Sequence, residues 1–392
     1  MVPEGWEEQT LGEWIVEHQE KSTELNQHTV LTSSRSGLIP QSEYYGDSRI
    51  SQRENIGFHV IPPGFITYRS RSDDGLFFFN RNDTGDTGII SHFYPVFRFP
   101  AGSDQFFLSL INYQRHRFFG HSVGTSQKVL SMTALKKMKF AIPPLPEQRK
   151  IAEILSTWDR AIETAQALLA TARRQKRALM QSLLTGKRRF PEFDGQEWKE
   201  VRLGQMGQTV SGGTPESSKG MYWDGDVHWA TPTDITKLKS RFIRGTARMI
   251  TQAGLKSSSA KMIPAGSILI CTRATIGQMA ITTGPICTNQ GFKNLVLSDD
   301  FDSDFVFYLL QYFKNELVRY ACGSTFLELS KKDFDKRSFS VPSLSEQLSI
   351  AAVLNAAEEE IDEHRQSIDK LRTEKKALMQ QLLTGKRRVV LT

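Results

Sequence analysis

The chain has 392 residues, of which 39% are hydrophobic, and a formal net charge of +7. That length allows two or three domains, and the charge is compatible with a polyanionic partner but identifies none. Three cysteines (Cys271, Cys287, Cys322) without C-x-x-C spacing argue against a disulfide framework or a zinc site. No apolar run reaches the ~18 residues of a membrane span and the acidic, Trp-containing start is unlike a signal peptide, so a reduced cytoplasm fits.

Residues 1–142 read as a first globular segment. It opens with Trp6 and Leu11-Gly12, spaced W-x4-L-G. Short β-rich runs follow at Gly57–Ile61, Phe65–Arg69, Gly75–Asn80 and Gly88–Phe93, each bounded by Gly, Pro, Asn or Asp. Phe77-Phe78-Phe79 reads as strand core rather than as a base-stacking platform. A helical stretch from Asp104 to Phe119 closes the strand region. Gly120-His121-Ser122-Val123-Gly124 matches the G-x-S-x-G of serine hydrolases. That motif needs a strand before it and a helix after it within alternating βαβ units. Here a helix precedes it and the alternation is missing, so a loop is the better reading.

Residues 143–190 read as one long helix. Pro143, Pro144 and Pro146 suit its start. Apolar positions then recur in steps of four and three: Ile151, Leu155, Trp158, Ile162, Ala165, Leu169, Ala172, Lys176, Leu179 and Leu183. This is a heptad seam. Gly186 suits the left-handed residue that ends a helix, and the KRR after it places cations where the helix dipole favours them. The helix would be about 37 residues, roughly 55 Å, long. Most of the chain's excess of base over acid falls in this segment.

Residues 191–341 form the second globular segment, with Trp198 and Leu203-Gly204 again at W-x4-L-G spacing. Polar runs stand out at Ser211–Pro215, Ala230–Ile235, Thr288–Phe292 and Gly323–Ser330. Rich in Gly, Thr, Asn and Gln, they read as loops with hydrogen-bonding side chains. The turn Ile263-Pro264-Ala265-Gly266 parallels Ile61-Pro62-Pro63-Gly64, and Arg273 parallels Arg71. Asp304 to Tyr320 repeats the closing helix.

Residues 342–392 repeat the long helix without a gap: PxLxEQ at its start, LLTGKRR at its end, and a seam of Ile350, Leu354, Ala357, Ile361, His364, Ile368, Leu371, Lys375, Leu378 and Leu382. Glu358–Glu363 reads as a solvated helix face. A repeat unit of half the protein excludes a solenoid. It predicts an α+β protein with two mixed α/β globular domains, separated by two long helices that form an antiparallel coiled coil with pseudo-twofold symmetry. A coiled coil between two copies of the chain is the bland alternative. No phosphate loop, HExxH, EF-hand or G-x-G-x-x-G is present, nor an Asn/Asp-Pro-Pro-aromatic signature of adenine methylation. The eight histidines show no metal spacing.

This constellation resembles the specificity subunit of Type I DNA restriction–modification systems. It rests on two globular segments, each closed by PxLxEQ and a long helix ending LLTGKRR, and on SGGTP, TPTDI, Arg273–Gly277, TNQGF and GSTFLELS in the second. The resemblance implies that each globular segment is a target recognition domain for one half of a bipartite site in double-stranded DNA. It implies that the helices act as a spacer and dock two modification subunits, with restriction and motor subunits joining them. The chain itself would be non-catalytic and free of cofactors. S-adenosylmethionine would belong to the modification subunit, and ATP and Mg to the restriction subunit.

Base-reading side chains must be donors or acceptors on loops that enter a groove. In the second domain the candidates are Ser211, Gly212, Gly213, Thr214, Thr231, Thr233, Asp234, Arg273, Thr275, Gln290 and Lys293. In the first they are Ser33, Arg35, Tyr68, Arg69, Arg71, Asn80, Arg81, Gln127 and Lys128. Arg188 and Arg387 are candidates for phosphate contact or for helix capping. A coiled-coil adaptor whose globular ends bind proteins is the competing class. It would lack the steep salt dependence of a DNA reader.

Overall fold

The structure, a computed structural model, describes residues 2–46, 54–273, 275–319 and 329–391. Most of the GSTFLELS run, Cys322, Ala274 and Tyr320 lie outside the described residues. Two long helices dominate, Leu145–Leu183 and Leu344–Leu382, each of 39 residues. Both stop where a glycine turns left-handed: Gly186 has φ +68° and Gly385 φ +67°, a conformation that costs an L-residue with a Cβ.

The chain divides into two compact units, Met1–Ala165 with Ser367–Thr392, and Gln166–Gln366. Each unit therefore holds one globular segment, half of the helix that follows it, and the opposite half of the other helix.

In the first unit, Glu7–Thr10 pairs antiparallel with Lys139–Ile142, which brings the chain's start beside the strand that leads into the long helix. Two four-stranded sheets follow. One joins Val16–His18, Val96–Arg98, Ile66–Tyr68 and Phe79–Arg81; the other joins Gly37–Pro40, Thr29–Ser34, Gly88–Ile90 and His59–Ile61. Asp104–Tyr113 is α-helical and Arg115–His121 continues as a 3-10 turn, so the expected helix is shorter than its sequence pattern. Ile151, Leu155, Leu382 and Leu383 sit in one apolar cluster with Phe97, Phe106, Leu110 and Phe140. The ends of the helical seam are thus part of the globular core rather than of a free coiled coil.

The second unit repeats this plan. Lys199–Arg202 pairs with Ser338–Val341, and Leu183, Leu184, Ile350 and Leu354 share a cluster with Phe305, Leu309 and Phe334. A five-stranded sheet runs Gly207–Ser211, Phe292–Leu297, Ile268–Cys271, Met279–Thr282, Phe242–Ile243. Trp223–Ala230 lies between Met249–Ile250 and Cys287–Thr288 in a second sheet.

Every seam position is buried or half-buried in both helices, including Trp158, Ile162, Leu169, Leu179, Leu371 and Leu378. Within each unit the helix halves run antiparallel, as their ion pairs show. In the first unit Glu147 meets Arg388 and Asp159 meets Lys375. In the second Arg189 meets Glu346 and Lys176 meets Glu358. Glu358 is therefore not a solvated-face residue. It neutralises a lysine that is only 8% exposed, since a buried ammonium without a counter-charge is costly.

The repeated termini have a structural meaning beyond capping. Gln148 Nε2 donates to the Pro143 carbonyl at 2.9 Å, and Gln347 Nε2 to that of Pro342 at 3.1 Å. These are amide brackets that hold the proline turn onto the helix. Glu147 accepts the Trp6 indole N–H and the Arg388 guanidinium. Glu346 does the same for Trp198 and Arg189. The arginine that ends each KRR run is thus occupied by a buried glutamate.

Candidate nucleic-acid interface

In the second unit three of the polar runs, and the strand end at Thr272, are laced together by backbone hydrogen bonds. Gly213 N donates to Thr288 O at 2.9 Å, Asn289 N to Ala230 O at 3.0 Å, and Thr272 N to Gly291 O at 2.8 Å. The cause lies in the strands beneath. Ser211 ends a strand opposite Lys293, Cys271 ends one opposite Phe292, and Ala230 pairs parallel with Thr288. Three strand ends therefore deliver their loops to one edge and form a ridge.

The ridge divides the candidate residues. Ser211, Thr214, Thr233, Arg273 and Gln290 are exposed on it. The Thr214 hydroxyl donates to Gln290 Oε1, which orients that amide. The others are spent on the fold. Thr231 and Asp234 form a capping box: Thr231 N and Oγ1 donate to Asp234 Oδ2 at 2.8 and 2.7 Å, and Oδ1 takes Ala247 N at 2.9 Å. Gly212 and Gly213 are required by crowding. A Cβ on Gly212 would lie 2.0 Å from Asn289 O, and one on Gly213 2.4 Å from Ala260 N. Lys293 is buried in its strand and Thr275 is half-buried in its turn.

Burial also silences the two described thiols. It pushes Cys271 up to about 11 and Cys287 up to about 12, so both stay protonated and inert near neutral pH.

In the first unit Ser33, Arg35, Arg69 and Arg71 line one cleft of about 430 Å³, together with Tyr44, Asp74 and Phe78. Phe78 is half-buried, whereas Phe77 and Phe79 are core. The three-phenylalanine run is therefore split, with its middle ring turned toward two guanidinium groups. Arg35 Cζ lies 5.4 Å from the ring centroid and Arg115 Cζ 4.8 Å. Arg71 stacks on Phe93 at 4.3 Å, and Lys128 Nζ stands 4.9 Å over Phe119. Cations held on aromatic faces keep their charge and stay near the surface. Asp74 is ion-paired to Arg35, and its carboxyl is held below the usual range, first by the Leu76 backbone N–H and then by the Ser72 hydroxyl.

Three candidates of this domain are corrected. Tyr68 is fully buried among Phe77, Phe79 and Phe97, and its hydroxyl donates to Leu130 O at 3.0 Å. Asn80 Nδ2 donates to Ser33 Oγ and Ser34 O at 2.7 and 2.8 Å, which ties two sheets together. Arg81 is neutralised by Asp83 and Asp104 at 2.7 and 2.9 Å. Arg115, Phe93 and Phe119, and Arg248, whose Cζ lies 3.9 Å over Trp223, join the candidates through their cation–aromatic contacts. Only an arginine–aromatic pairing unrelated to sequence distance marks them.

A family model described as "Type I restriction modification DNA specificity domain" matches residues 3–172 and again 195–373. The chain belongs to this family. The two matched copies coincide with the two halves of the repeat. Among individual relatives, the Type I restriction enzyme MjaIX specificity subunit of Methanocaldococcus jannaschii is 34% identical over 161 residues, 41% of this chain and 37% of that protein. The putative MjaX specificity subunit of the same organism is 30% identical over 280 residues, 67% of this chain and 63% of that protein. The chain thus matches less than two thirds of the length of either.

Two solved structures share the fold. A chain from a structure titled for complex assembly and conformational transition of the type I R-M system superposes with a TM-score of 0.61 at 20% identity, covering 99% of this chain and 100% of that one. The Type-I restriction-modification S subunit from M. genitalium gives 0.57 at 14%, covering both chains fully. No described helix is long and apolar enough to cross a membrane.

Proposed function

We propose that this chain is the sequence-reading subunit of a Type I restriction–modification complex, with each globular domain reading one half of a bipartite double-stranded DNA target. The long helices would set the gap between the halves and dock two modification subunits that methylate adenine, and restriction and motor subunits would complete the assembly. The chain contributes recognition only. S-adenosylmethionine belongs to the modification subunits, and ATP and Mg to the restriction subunit.

The observation that carries this reading is the ridge in the second unit. Its exposed Ser211, Thr214, Thr233, Arg273 and Gln290 stand on a strand end, on loops and on the short helix Pro232–Thr236, in segments tied to one another by backbone bonds. A rigid row of arginine, amide and hydroxyl groups suits guanine and adenine edges in a major groove, and preformed loops limit the ordering cost of binding.

The test is a methylation map. The chain is co-expressed with its cognate modification subunit, and host DNA is sequenced for N6-methyladenine. A split motif, two short specific halves around a fixed unspecified gap, is expected. An assembled complex that methylates nothing would overturn the reading. Affinity of the complex for target DNA should also fall steeply with salt, by counterion release.

A further inference from the structure

The G-x-S-x-G match lies in a segment that is neither a nucleophile elbow nor an idle loop. Val123 and Val129 exchange backbone hydrogen bonds, N to O at 3.0 Å and back at 2.8 Å. Lys128–Val129 then pairs antiparallel with Arg71–Ser72. Residues 123–129 are therefore a short hairpin laddered onto Arg71–Ser72, two residues that line the arginine cleft. Gly124 closes its tip with φ +106°, where a Cβ would lie 2.2 Å from Gln127 O. Residues 123–126 are exposed, and Val123, in the pair that closes the open end of the hairpin, is 70% so.

A single exposed valine is ordinary by itself; what marks Val123 is the cluster of cations near its hairpin. Arg71, on the strand the hairpin pairs with, lines the cleft with Arg35 and Arg69, and the hairpin's own Lys128 is stacked on Phe119. Cations beside a groove-entering element are placed to meet the phosphates flanking that groove. Gln127 Nε2 donates to Asp73 Oδ1 at 2.9 Å, so its Oε1 is the atom available to an outside donor. Thr125 and Ser126 add hydroxyls.

We infer that the hairpin 123–129 is the specificity-determining reader of the first half-site, entering the major groove with Val123 against a thymine methyl and Gln127 Oε1 facing an exocyclic amine, while Arg35, Arg69 and Arg71 grip phosphate. Apolar contact to the thymine methyl and an acceptor toward adenine N6 or cytosine N4 are the chemistries the groove offers to these groups. The inference rests on the DNA-reading role proposed above.

The experiment compares methylation maps for the full chain co-expressed with its modification subunit, as the parent and as V123A, T125A/S126A, Q127A and R71A. The hairpin variants should relax one or two positions of one half-site and leave the other half and the gap unchanged. V123A should lower thymine preference at a single position by roughly fourfold, the worth of about one methylene. R71A should lower occupancy at every site without changing the motif. If the hairpin variants keep the parental motif, or lose methylation evenly over all sequences, the hairpin is not the reader. If the assembled parent itself gives no split motif, the DNA-reading role fails and takes this inference with it. The tip is exposed and makes no core contact, so assembly of the variants, checked by co-purification, is expected to match the parent.

Discussion

Arg388 closes on Glu147 through two parallel bonds, Nε to Oε1 and Nη2 to Oε2, both at 2.7 Å. The glutamate is 2% exposed and also accepts the Trp6 indole at 3.2 Å. Glu346 holds Arg189 and Trp198 in the same way, at 2.5, 2.7 and 3.2 Å. One clasp appears in each unit, joining the residue that ends one long helix to the first turn of the other and to the tryptophan that opens the globular segment. Each glutamate raises its arginine's pKa, chiefly by the side-chain hydrogen bonds.

Breaking a clasp from the arginine side should cost more than breaking it from the tryptophan side. Arg189→Ala leaves the Glu346 carboxylate buried without a counter-charge, a loss of about 3 kcal/mol. Trp198→Phe removes one indole hydrogen bond and should cost about 1 kcal/mol. Urea unfolding of the purified chain measures both. Equal costs would mean that the tryptophan's packing, not the charge, holds the clasp.

The repeat makes each half of the chain self-complementary. Glu147 and Glu346, Lys176 and Lys375, and Arg189 and Arg388 each stand 199 residues apart. A chain ended after residue 190 loses Arg388 and Lys375, yet a second copy offers Arg189 and Lys176 at the same repeat positions. Such a fragment should form a homodimer, with a mass by light scattering twice that of the monomer. The same fragment carrying Glu147→Arg should fall to monomer. A monomeric parent fragment would show that residues outside the repeated ones are needed for pairing.

Gly212→Ala should be far more damaging than a change at an exposed neighbour. The added Cβ would lie 2.0 Å from Asn289 O and 2.2 Å from Thr288 Oγ1, and the backbone oxygen cannot swing aside. Overpacking of this kind costs about 1–3 kcal/mol and would displace Gly213 from Thr288. Thermal stability and specific DNA binding should both fall. Ser211→Ala, on the exposed strand end, should stay within about 0.5 kcal/mol.

His59 should give the first unit a pH-dependent stability. Burial, aided by the charges of Lys21, His92 and His18, holds its pKa below that of an ordinary histidine. The unfolded chain therefore takes up the proton at a higher pH than the folded one. Between the unfolded value and the lower folded value, the unfolded state binds more protons, so stability falls as pH falls through that window. Above it the histidine contributes no slope. His59→Gln should flatten the stability profile below about pH 6.5, as read by denaturation midpoints at a series of pH values. An unchanged slope would assign it to other groups.

The GxSxG-like segment shows how a local match misleads. Its residues satisfy the pattern, but the 3-10 turn Arg115–His121 precedes it and a hairpin follows, so no strand–turn–helix presents the serine. The TPTDI run is the reverse case. Its residue types suit base contact, and Thr233 is exposed, yet Thr231 and Asp234 form a capping box whose carboxylate holds three N–H or O–H donors. In both, residue types were legible while their partners were not.

The sequence by itself determined the helices, their ends, the buried seam and the duplication. These depend on spacing along one chain, and periodicity is a local property that survives any tertiary arrangement. Tertiary structure alone decided which polar residues remain for a partner. Tyr68, Asn80, Arg81, Asp234, Arg189 and Arg388 are spent on groups 2 to 241 residues away. Arg35, Arg71, Phe78 and Gln127 line or border one cleft, Arg35 and Gln127 anchored there by Asp74 and Asp73. A buried donor or carboxylate must find a counterpart wherever the fold brings one, and that counterpart leaves no trace in the spacing of the chain.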